Sequence, residues 1–326
     1  MTAPLLPEPP LPLTTSSSQT KGRVVELLFL GTGTSGGVPN ITCITSTTGP
    51  ACRVCHSSLT PEGRKNLRRN TSLLIRYAHP DGKIRNILID CGKTFYASAL
   101  DWFPKYGIQE IHAVILTHGH ADAIMGLDDL RPFSHRRLGG PIPVYLTNQT
   151  LSVVRGAFPY IVDSNLATGG GEVPRLQFHE LSDPRKPFNV LGLEFLPLEV
   201  EHGVFADGCP FLCLGFRFDD VGKSPTDHRQ GLISTASTDY FLHPLLETKY
   251  SSHFGYDQAV EAVREAQPKE LAFFTDLTHE WDHATLSHRL SLLPSPPCPV
   301  QPAYDGMRLV CQDPLDPWTI SSFTRD

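Results

Sequence analysis

The sequence lacks two features that would place it in a membrane or on nucleic acid. A transmembrane helix needs about 18 or more apolar residues in a row, and the 326-residue chain has no such run although 40% of its residues are apolar. Charges of both signs are scattered along the chain, with a formal net charge of -6 and no basic stripe. We therefore expect no membrane partner, and the charge pattern argues against nucleic acid as a large ligand.

The chain also lacks the signs of a secreted, disulfide-linked protein. Residues 1–22 have no basic start, no continuous apolar segment and no arginine, whereas signal and transit peptides are built from these features. Their Pro-, Thr- and Ser-rich composition predicts a disordered tail. The eight cysteines thus predict thiols or metal ligands in the reducing cytoplasm, with the nucleus as the alternative compartment.

A glycine-rich segment follows the first predicted strand. Residues Gly31–Gly36 contain the pattern G-x-G-x-x-G, which belongs to dinucleotide sites only when a helix opens directly after it. Here Pro39 and a Thr-rich stretch follow instead. The segment predicts a tight glycine turn rather than a dinucleotide site.

Three cysteines have the spacing of a partial zinc site. Cys52 and Cys55 form a C-x-x-C pair, and Cys43 lies nine residues before the pair. Such a pair places two thiolates on one face of a tight turn, and a third thiolate can complete three corners of a zinc tetrahedron. A pair of free thiols in a loop is the alternative, because a single C-x-x-C is a weaker signal than two.

The strongest chemical signal is the segment Thr117–Asp122, which follows the apolar run Ile111–Leu116. His118, His120 and Asp122 stand at alternate positions, where side chains released from the end of a buried strand can converge. Neutral imidazoles suit Zn, Fe or Mn. The pattern predicts half of a metal site, the alternative being two histidines in an ordinary loop.

Periodicity and turn signals predict a single domain over residues 23–312, followed by a tail at 313–326. The domain is expected to have two β-rich halves, residues 23–165 and 173–312. The predicted strands are Arg23–Leu30, Ser72–Tyr77, Ile84–Ile89, Ile111–Leu116, Pro141–Leu146, Leu193–Leu198, Val200–Gly203, Phe211–Phe218, Leu232–Thr235, Leu271–Phe274 and Met307–Val310; the predicted helices are Thr94–Trp102, Asn148–Phe158 and Asp257–Ala266. Histidines follow strands in both halves. These elements predict an α/β fold with four αββα layers.

These motifs together resemble the metallo-β-lactamase fold. Thr117–Asp122 is similar to the signature T-H-x-H-x-D-H. Gly31–Ser35, the cysteine cluster, Asp90–Gly92 and Thr278–His279 resemble the branch that contains the phosphonate-pathway cyclic phosphodiesterase and tRNase Z. The resemblance extends over residues 24–309 and implies a metal-dependent hydrolase with the αββα sandwich.

The resemblance implies a catalytic centre and a structural one. The implied catalytic ligands are His118, His120 and His202 on one metal, and Asp122 and His279 on a second. The implied ligands of a structural zinc are Cys43, Cys52, Cys55 and His283.

The second catalytic metal lacks two of the expected ligands. Ala123 stands where the signature ends in histidine, and Thr235 stands where a bridging aspartate is expected. Asp239, four residues on, is a weak substitute. These departures favour one catalytic zinc, with Asp122 as the residue that orients the attacking water or acts as its base.

The leading hypothesis is a metal-dependent hydrolase that acts on a phosphodiester or a related small anionic ester through metal-bound hydroxide. One alternative is a catalytically degenerate binding or scaffold protein, motivated by Ala123 and Thr235. Another is a thioesterase or an iron-dependent member of the fold, because a fold does not fix a function. The sequence is compatible with a homodimer.

Overall fold

The structure, a computed structural model, describes residues 22–136, 140–219, 232–233, 255–268, 270–311 and 318–321. The first 21 residues of the predicted N-terminal tail lie outside the described residues, as do Thr235 and Asp239.

The described residues form fourteen strands. They are β1 (Arg23–Gly31), β2 (Ser72–Ala78), β3 (Ile84–Ile89), β4 (Ala113–Ile115), β5 (Ile142–Leu146), β6 (Leu176–Glu180), β7 (Phe188–Val190), β8 (Leu193–Val204), β9 (Pro210–Asp219), β10 (Leu232–Ile233), β11 (Ala272–Phe274), β12 (Val300–Pro302), β13 (Arg308–Val310) and β14 (Thr319–Ser321).

The helices are mostly short. They are α1 (Ile41–Thr45), α2 (Arg53–Ser57), α3 (Phe95–Trp102), α4 (Ala121–Ile124), α5 (Arg131–Arg136), α6 (Asn148–Ala157), α7 (Pro159–Val162), α8 (Tyr256–Ala266) and α9 (His283–Ser291). Among the described residues, no helix has the length and apolar character needed to span a membrane.

Two sheets pack against each other. The larger has the order β14-β13-β1-β2-β3-β4-β5-β6, antiparallel from β14 to β3 and parallel from β3 to β6. The smaller is antiparallel with the order β10-β9-β8-β7, and β11 pairs with β12 in a third, parallel pair.

The hydrophobic core has layers on both faces of the large sheet. Leu27 of β1 packs with Phe195 and Phe216 of the smaller sheet, whereas its neighbour Leu28 packs with Phe95 of α3. Adjacent strand residues point to opposite faces, so a strand buried on both sides must be apolar throughout. A further apolar cluster joins α8 and α9 to β11 and β12. This layering confirms the predicted αββα sandwich.

The predicted glycine turn is also present. Gly37 N donates to Thr34 O at 2.9 Å. The described residues 31–40 contain no helix, and α1 begins only at Ile41. Other elements differ from the sequence prediction. The strands β6, β7, β12 and β14 and the helix α9 were not predicted, and β14 pairs with β13 although its residues fall in the predicted C-terminal tail.

Candidate metal centres

The histidine centre forms where the two sheets meet at the end of β4. His118 and His120 lie on the loop after β4, and His202 comes from β8 of the smaller sheet. Each ring offers one nitrogen as a possible metal ligand, and the three nitrogens lie within 4.8 Å of one another. His120 Nδ1 lies 3.2 Å from His202 Nε2. Leu214 N of β9 donates to Thr117 O at 3.0 Å, which fixes this loop to the smaller sheet. The structure therefore brings together three of the predicted ligands.

Tight backbone packing holds the histidine loop in place. Cys91 N donates to Ala123 O at 2.8 Å, and Gly126 N donates to Cys91 O at 2.8 Å. A Cβ at Gly92 would overlap the carbonyl oxygen of Asp122, so only glycine allows this approach. The side chain of Ala123 is buried in the apolar cluster beside α3, which leaves no ligand at the last position of the signature.

Thr117 connects His118 to a buried carboxylate. Its hydroxyl donates to Asp90 Oδ2 at 2.7 Å and lies 2.7 Å from His118 Nδ1, while its N–H donates to Asp90 Oδ1 at 2.8 Å. Because the hydroxyl proton is directed at Asp90, the hydroxyl oxygen can accept a hydrogen bond from His118 Nδ1–H. In that tautomer, Nε2 is the candidate metal-binding nitrogen of His118.

Three carboxylates lie close to one another beside this loop. Burial raises the pKa of Asp90 to about 8, and the negative charges of Asp122 and Asp276 add to this effect against the hydrogen bonds from Thr117. Asp276 is buried and has a left-handed backbone with φ 61°, two residues after the end of β11. Asp276 was not predicted from the sequence, although an acidic residue following a strand was the available signal. Asp122 is half-buried and is not among the described side chains that converge within 4.8 Å at the histidine centre.

The cysteine centre consists of Cys43, Cys52, Cys55 and His279, whose donor atoms all lie within 4.8 Å of one another. The sulfurs of Cys43 and Cys52 are each 3.5 Å from His279 Nδ1. Burial raises the pKa of Cys52, but hydrogen bonds from the Cys55 backbone and His279 outweigh it and lower that pKa to about 7. Three thiols and one imidazole in this arrangement are a donor set suited to tetrahedral zinc.

The structure places two histidines in surroundings other than the predicted ones. His279, predicted as a catalytic ligand, lies beside the cysteines. His283, predicted as their partner, begins α9 after the N-cap residue Asp282 and packs edge-on against Tyr304 with ring centroids 5.5 Å apart. The four-residue spacing does not bring both rings to one centre, because the start of α9 directs His283 elsewhere.

A buried arginine, Arg68, lies between the cysteine cluster and the segment that contains His279: its backbone pairs with Val38, which packs against Cys55. Arg68 is 1% exposed and donates to Thr278 O at 2.6 Å and to Trp281 O at 2.7 Å. Burial lowers the pKa of Arg68 to about 10, so it remains charged at neutral pH. Its two hydrogen bonds flank His279 in sequence and fix the backbone from which that histidine extends.

An αββα sandwich with a histidine motif after a central strand defines a metallo-β-lactamase-type fold. A family model described as "Beta-lactamase superfamily domain" matches residues 85–274, more than half of the chain, and the chain belongs to this superfamily. An octanoyltransferase of Porphyromonas gingivalis (strain ATCC BAA-308 / W83) is 30% identical over 293 residues, which are 88% of this chain and 51% of that protein. The chain thus spans about half the length of this curated relative.

Solved structures share the fold over nearly their whole length. A diphosphatase from the PhnP family has 27% identity and a TM-score of 0.62, covering 89% of this chain and 99% of that one. Zn(2+)-bound PqqB from Methylobacterium extorquens has 18% identity and a TM-score of 0.57, with 88% and 100% coverage. The short form of human tRNase Z has 15% identity and a TM-score of 0.50, with 87% and 98% coverage. The last two show the fold alone.

Proposed function

We propose that the protein is a metal-dependent hydrolase of a phosphodiester or a related small anionic ester. The convergence of His118, His120 and His202 is the observation on which this proposal depends. The similarity to a diphosphatase at 27% identity supports a phosphorus ester as the substrate. Three neutral imidazoles suit zinc, with Mn or Fe as alternatives. A bound zinc at such a site acts as a Lewis acid and lowers the pKa of water toward about 7.

The residues of the chain then have separate tasks. His118, His120 and His202 would hold the catalytic ion, and Asp90 through Thr117 would fix the tautomer of His118. Asp122, half-buried on the same loop, would accept the proton of the attacking water. We further propose a structural zinc at the cysteine centre, with His279 as its fourth ligand.

Elemental analysis together with activity assays tests both centres. We expect about two metal ions per chain in the wild type, with one lost in His120→Ala and the other lost in Cys52→Ser. The wild type should hydrolyse bis(p-nitrophenyl) phosphate or a 2',3'-cyclic nucleotide, and His120→Ala should lose this activity. A metal-replete wild type that hydrolyses neither compound would contradict the phosphodiesterase proposal and favour a scaffold protein.

The octanoyltransferase relative favours a second candidate, hydrolysis of an acyl thioester. The relative shares 30% identity with this chain, and a metal centre of this type can also activate water toward a thioester carbonyl. Release of thiol from an octanoyl thioester, without turnover of phosphodiesters, would favour this candidate over the first.

A further inference from the structure

The hairpin between β8 and β9 exposes two apolar side chains next to the histidine centre. Val204 is 62% exposed and Phe205 is 44% exposed. The turn itself is well formed, because Phe205 N donates to Cys209 O at 2.8 Å and Gly208 N donates to Phe205 O at 2.9 Å. A hydrogen-bonded turn that keeps a valine and a phenylalanine in solvent does not add to the core, and neighbouring exposed apolar side chains of this kind mark contact surfaces.

A series of ring contacts connects this turn to the proposed metal ligands. Phe211 of β9 stacks on the His120 ring, with centroids 4.5 Å apart and planes at 7°. The same phenyl ring lies 6.1 Å from the His118 ring and 6.0 Å from the His202 ring. Phe205 meets Phe211 edge-on at 5.4 Å and 72°. An exposed aromatic ring therefore lies one ring away from all three histidines.

Phe211 and Phe205 differ in their contacts with the histidines. Phe211 is half-buried, and its stacking orients the His120 ring. Phe205 has no described ring contact with a histidine, and nearly half of its surface faces solvent. Orientation of the histidines therefore accounts for Phe211, whereas none of the contacts among the described residues explains the exposed surface of Phe205.

A third exposed apolar side chain, Val153, lies beside the histidine loop. The hairpin turn between β8 and β9 has no positively charged side chain. A Cβ at Gly119 would be 2.9 Å from Val153 Cγ2, and Val153 of α6 is 40% exposed. Residues 204–211 contain no lysine or arginine, and the Asp207 carboxylate accepts from Cys209 N at 3.0 Å within the turn. The turn is thus suited to an apolar group and not to an anion.

We infer that Phe205, supported by Val204, binds an apolar organic substituent of the substrate while the anionic ester group binds at the histidine centre. We call these two side chains the hairpin platform. This inference rests on the proposed function and narrows its substrate class to anionic esters that bear an aryl or alkyl group about the size of one ring. Small esters with only a methyl or hydroxyl substituent are poor ligands because they do not reach the platform.

Binding of three phosphonates to the zinc-loaded full-length protein tests the platform without requiring turnover. Calorimetry should show that phenylphosphonate or n-hexylphosphonate binds the wild type more tightly than methylphosphonate does. In Phe205→Ala we expect about 5- to 20-fold weaker binding of the larger ligand, in proportion to the apolar area no longer buried, and less than about twofold change for methylphosphonate. Leu292→Ala, which removes a side chain that is 67% exposed at the end of α9, is the matched control and should change neither.

The outcomes separate this inference from the proposed function. A preference for phenyl identifies an aryl substituent and a preference for hexyl identifies an alkyl or acyl substituent; both support the platform. Equal affinity of the wild type for all three ligands, no binding of any of them, or an equal effect of Phe205→Ala and Leu292→Ala would overturn it. A wild type that prefers the larger ligand but hydrolyses no ester would contradict the hydrolase and leave the platform supported.

Discussion

The hydroxyl of Thr117 joins two side chains that set the geometry of the histidine loop. It donates to the buried Asp90 carboxylate and lies within hydrogen-bond distance of His118 Nδ1. Valine has nearly the same shape as threonine but offers no hydrogen bond. Replacing Thr117 by valine therefore separates the contribution of its hydrogen bonds to metal binding from the contribution of its packing.

We predict that Thr117→Val weakens zinc binding at the histidine centre by about 10- to 100-fold, as expected when a group that orients a metal-binding histidine is removed. The variant should also lose about 1–3 kcal/mol of unfolding free energy, because the Asp90 carboxylate loses a donor inside the protein. Competition with a chromophoric chelator measures the affinity, with Thr117→Ser as the control that keeps the hydroxyl. Equal affinities of the Val and Ser variants would rule out the orienting role.

Asp305 gives a prediction about pH. Burial raises the pKa of Asp305 to about 7, although Arg69 N and the Thr32 hydroxyl donate to its carboxylate. The folded-state pKa thus lies above the ordinary value of 3.8. The contribution of Asp305 to stability is therefore largest below that ordinary value, falls as pH rises toward 7, and is constant above it.

In Asp305→Asn this dependence should disappear. The difference in unfolding free energy between wild type and variant should then shift in favour of the variant from pH 4.5 to pH 7, by at most about 1.4 kcal/mol for each pH unit. Urea unfolding at several pH values measures it. A difference that stays constant across this range would show that Asp305 ionises as an ordinary aspartate.

At the scale of elements, the cysteine segment depends on a long-range connection more than on its own helices. The helix α1 has no buried residue, and α2 buries Val54 and Cys55. Arg68, by contrast, is fully buried and bonds the backbone on both sides of His279. A short helix in isolation is marginal, so this connection fixes where the two ligand segments meet.

Replacing Arg68 by methionine should therefore release the zinc of the cysteine centre and keep that of the histidine centre. We expect a loss of about 3–5 kcal/mol in unfolding free energy, because two buried carbonyl groups lose a charged donor. Arg64→Ala is the control, since Arg64 is half-exposed in an ion pair with Asp101 and such pairs contribute about 0–1 kcal/mol. Zinc content and urea unfolding of both variants provide the measurement, and similar losses in the two would contradict the role of Arg68.

Long elements with a strong pattern could be predicted from the sequence, and short ones could not. The hairpin β2–β3 follows from two apolar runs around Pro80-Asp81-Gly82, and β8 and β9 are long apolar strands. The missed strand β6 is half-buried at the edge of its sheet and only five residues long, and β14 has three residues. Their pairing depends on neighbouring strands, which a local pattern does not contain.

At the scale of the whole molecule, the local sequence pattern also did not predict which side chains group together at each centre. The loop after β4 contains its own signal, whereas His202 was implied by the family resemblance and not by a local pattern. The sequence prediction assigned His283 to the cysteines, whereas the structure places His279 beside them; both histidines follow β11 and are four residues apart. Only the start of α9 and the Arg68 contacts, which join residues more than 200 positions apart, decide between them.

The two centres should also differ in what they stabilise. The histidine loop has backbone hydrogen bonds to Cys91 and Leu214 that do not involve the ligands, whereas residues 41–57 pack only a small apolar cluster around Val54 and Cys55. An ion that binds the folded form alone stabilises the segment that supplies its ligands. The cysteine-bound zinc is therefore expected to hold residues 41–57 in place, and the histidine-bound ion is expected to contribute little to folding.

Amide hydrogen exchange separates these two effects. In Cys52→Ser, residues 41–57 should lose protection by about 10-fold or more, which corresponds to at least about 1.4 kcal/mol of local opening free energy, while the amides of β4 and β9 stay protected. In His120→Ala, protection of residues 41–57 should equal that of the wild type. Loss of protection in that segment in both variants would mean that the two centres form one cooperative unit, because an ion bound at β4 and β8 would then be needed to order helices that supply none of its ligands.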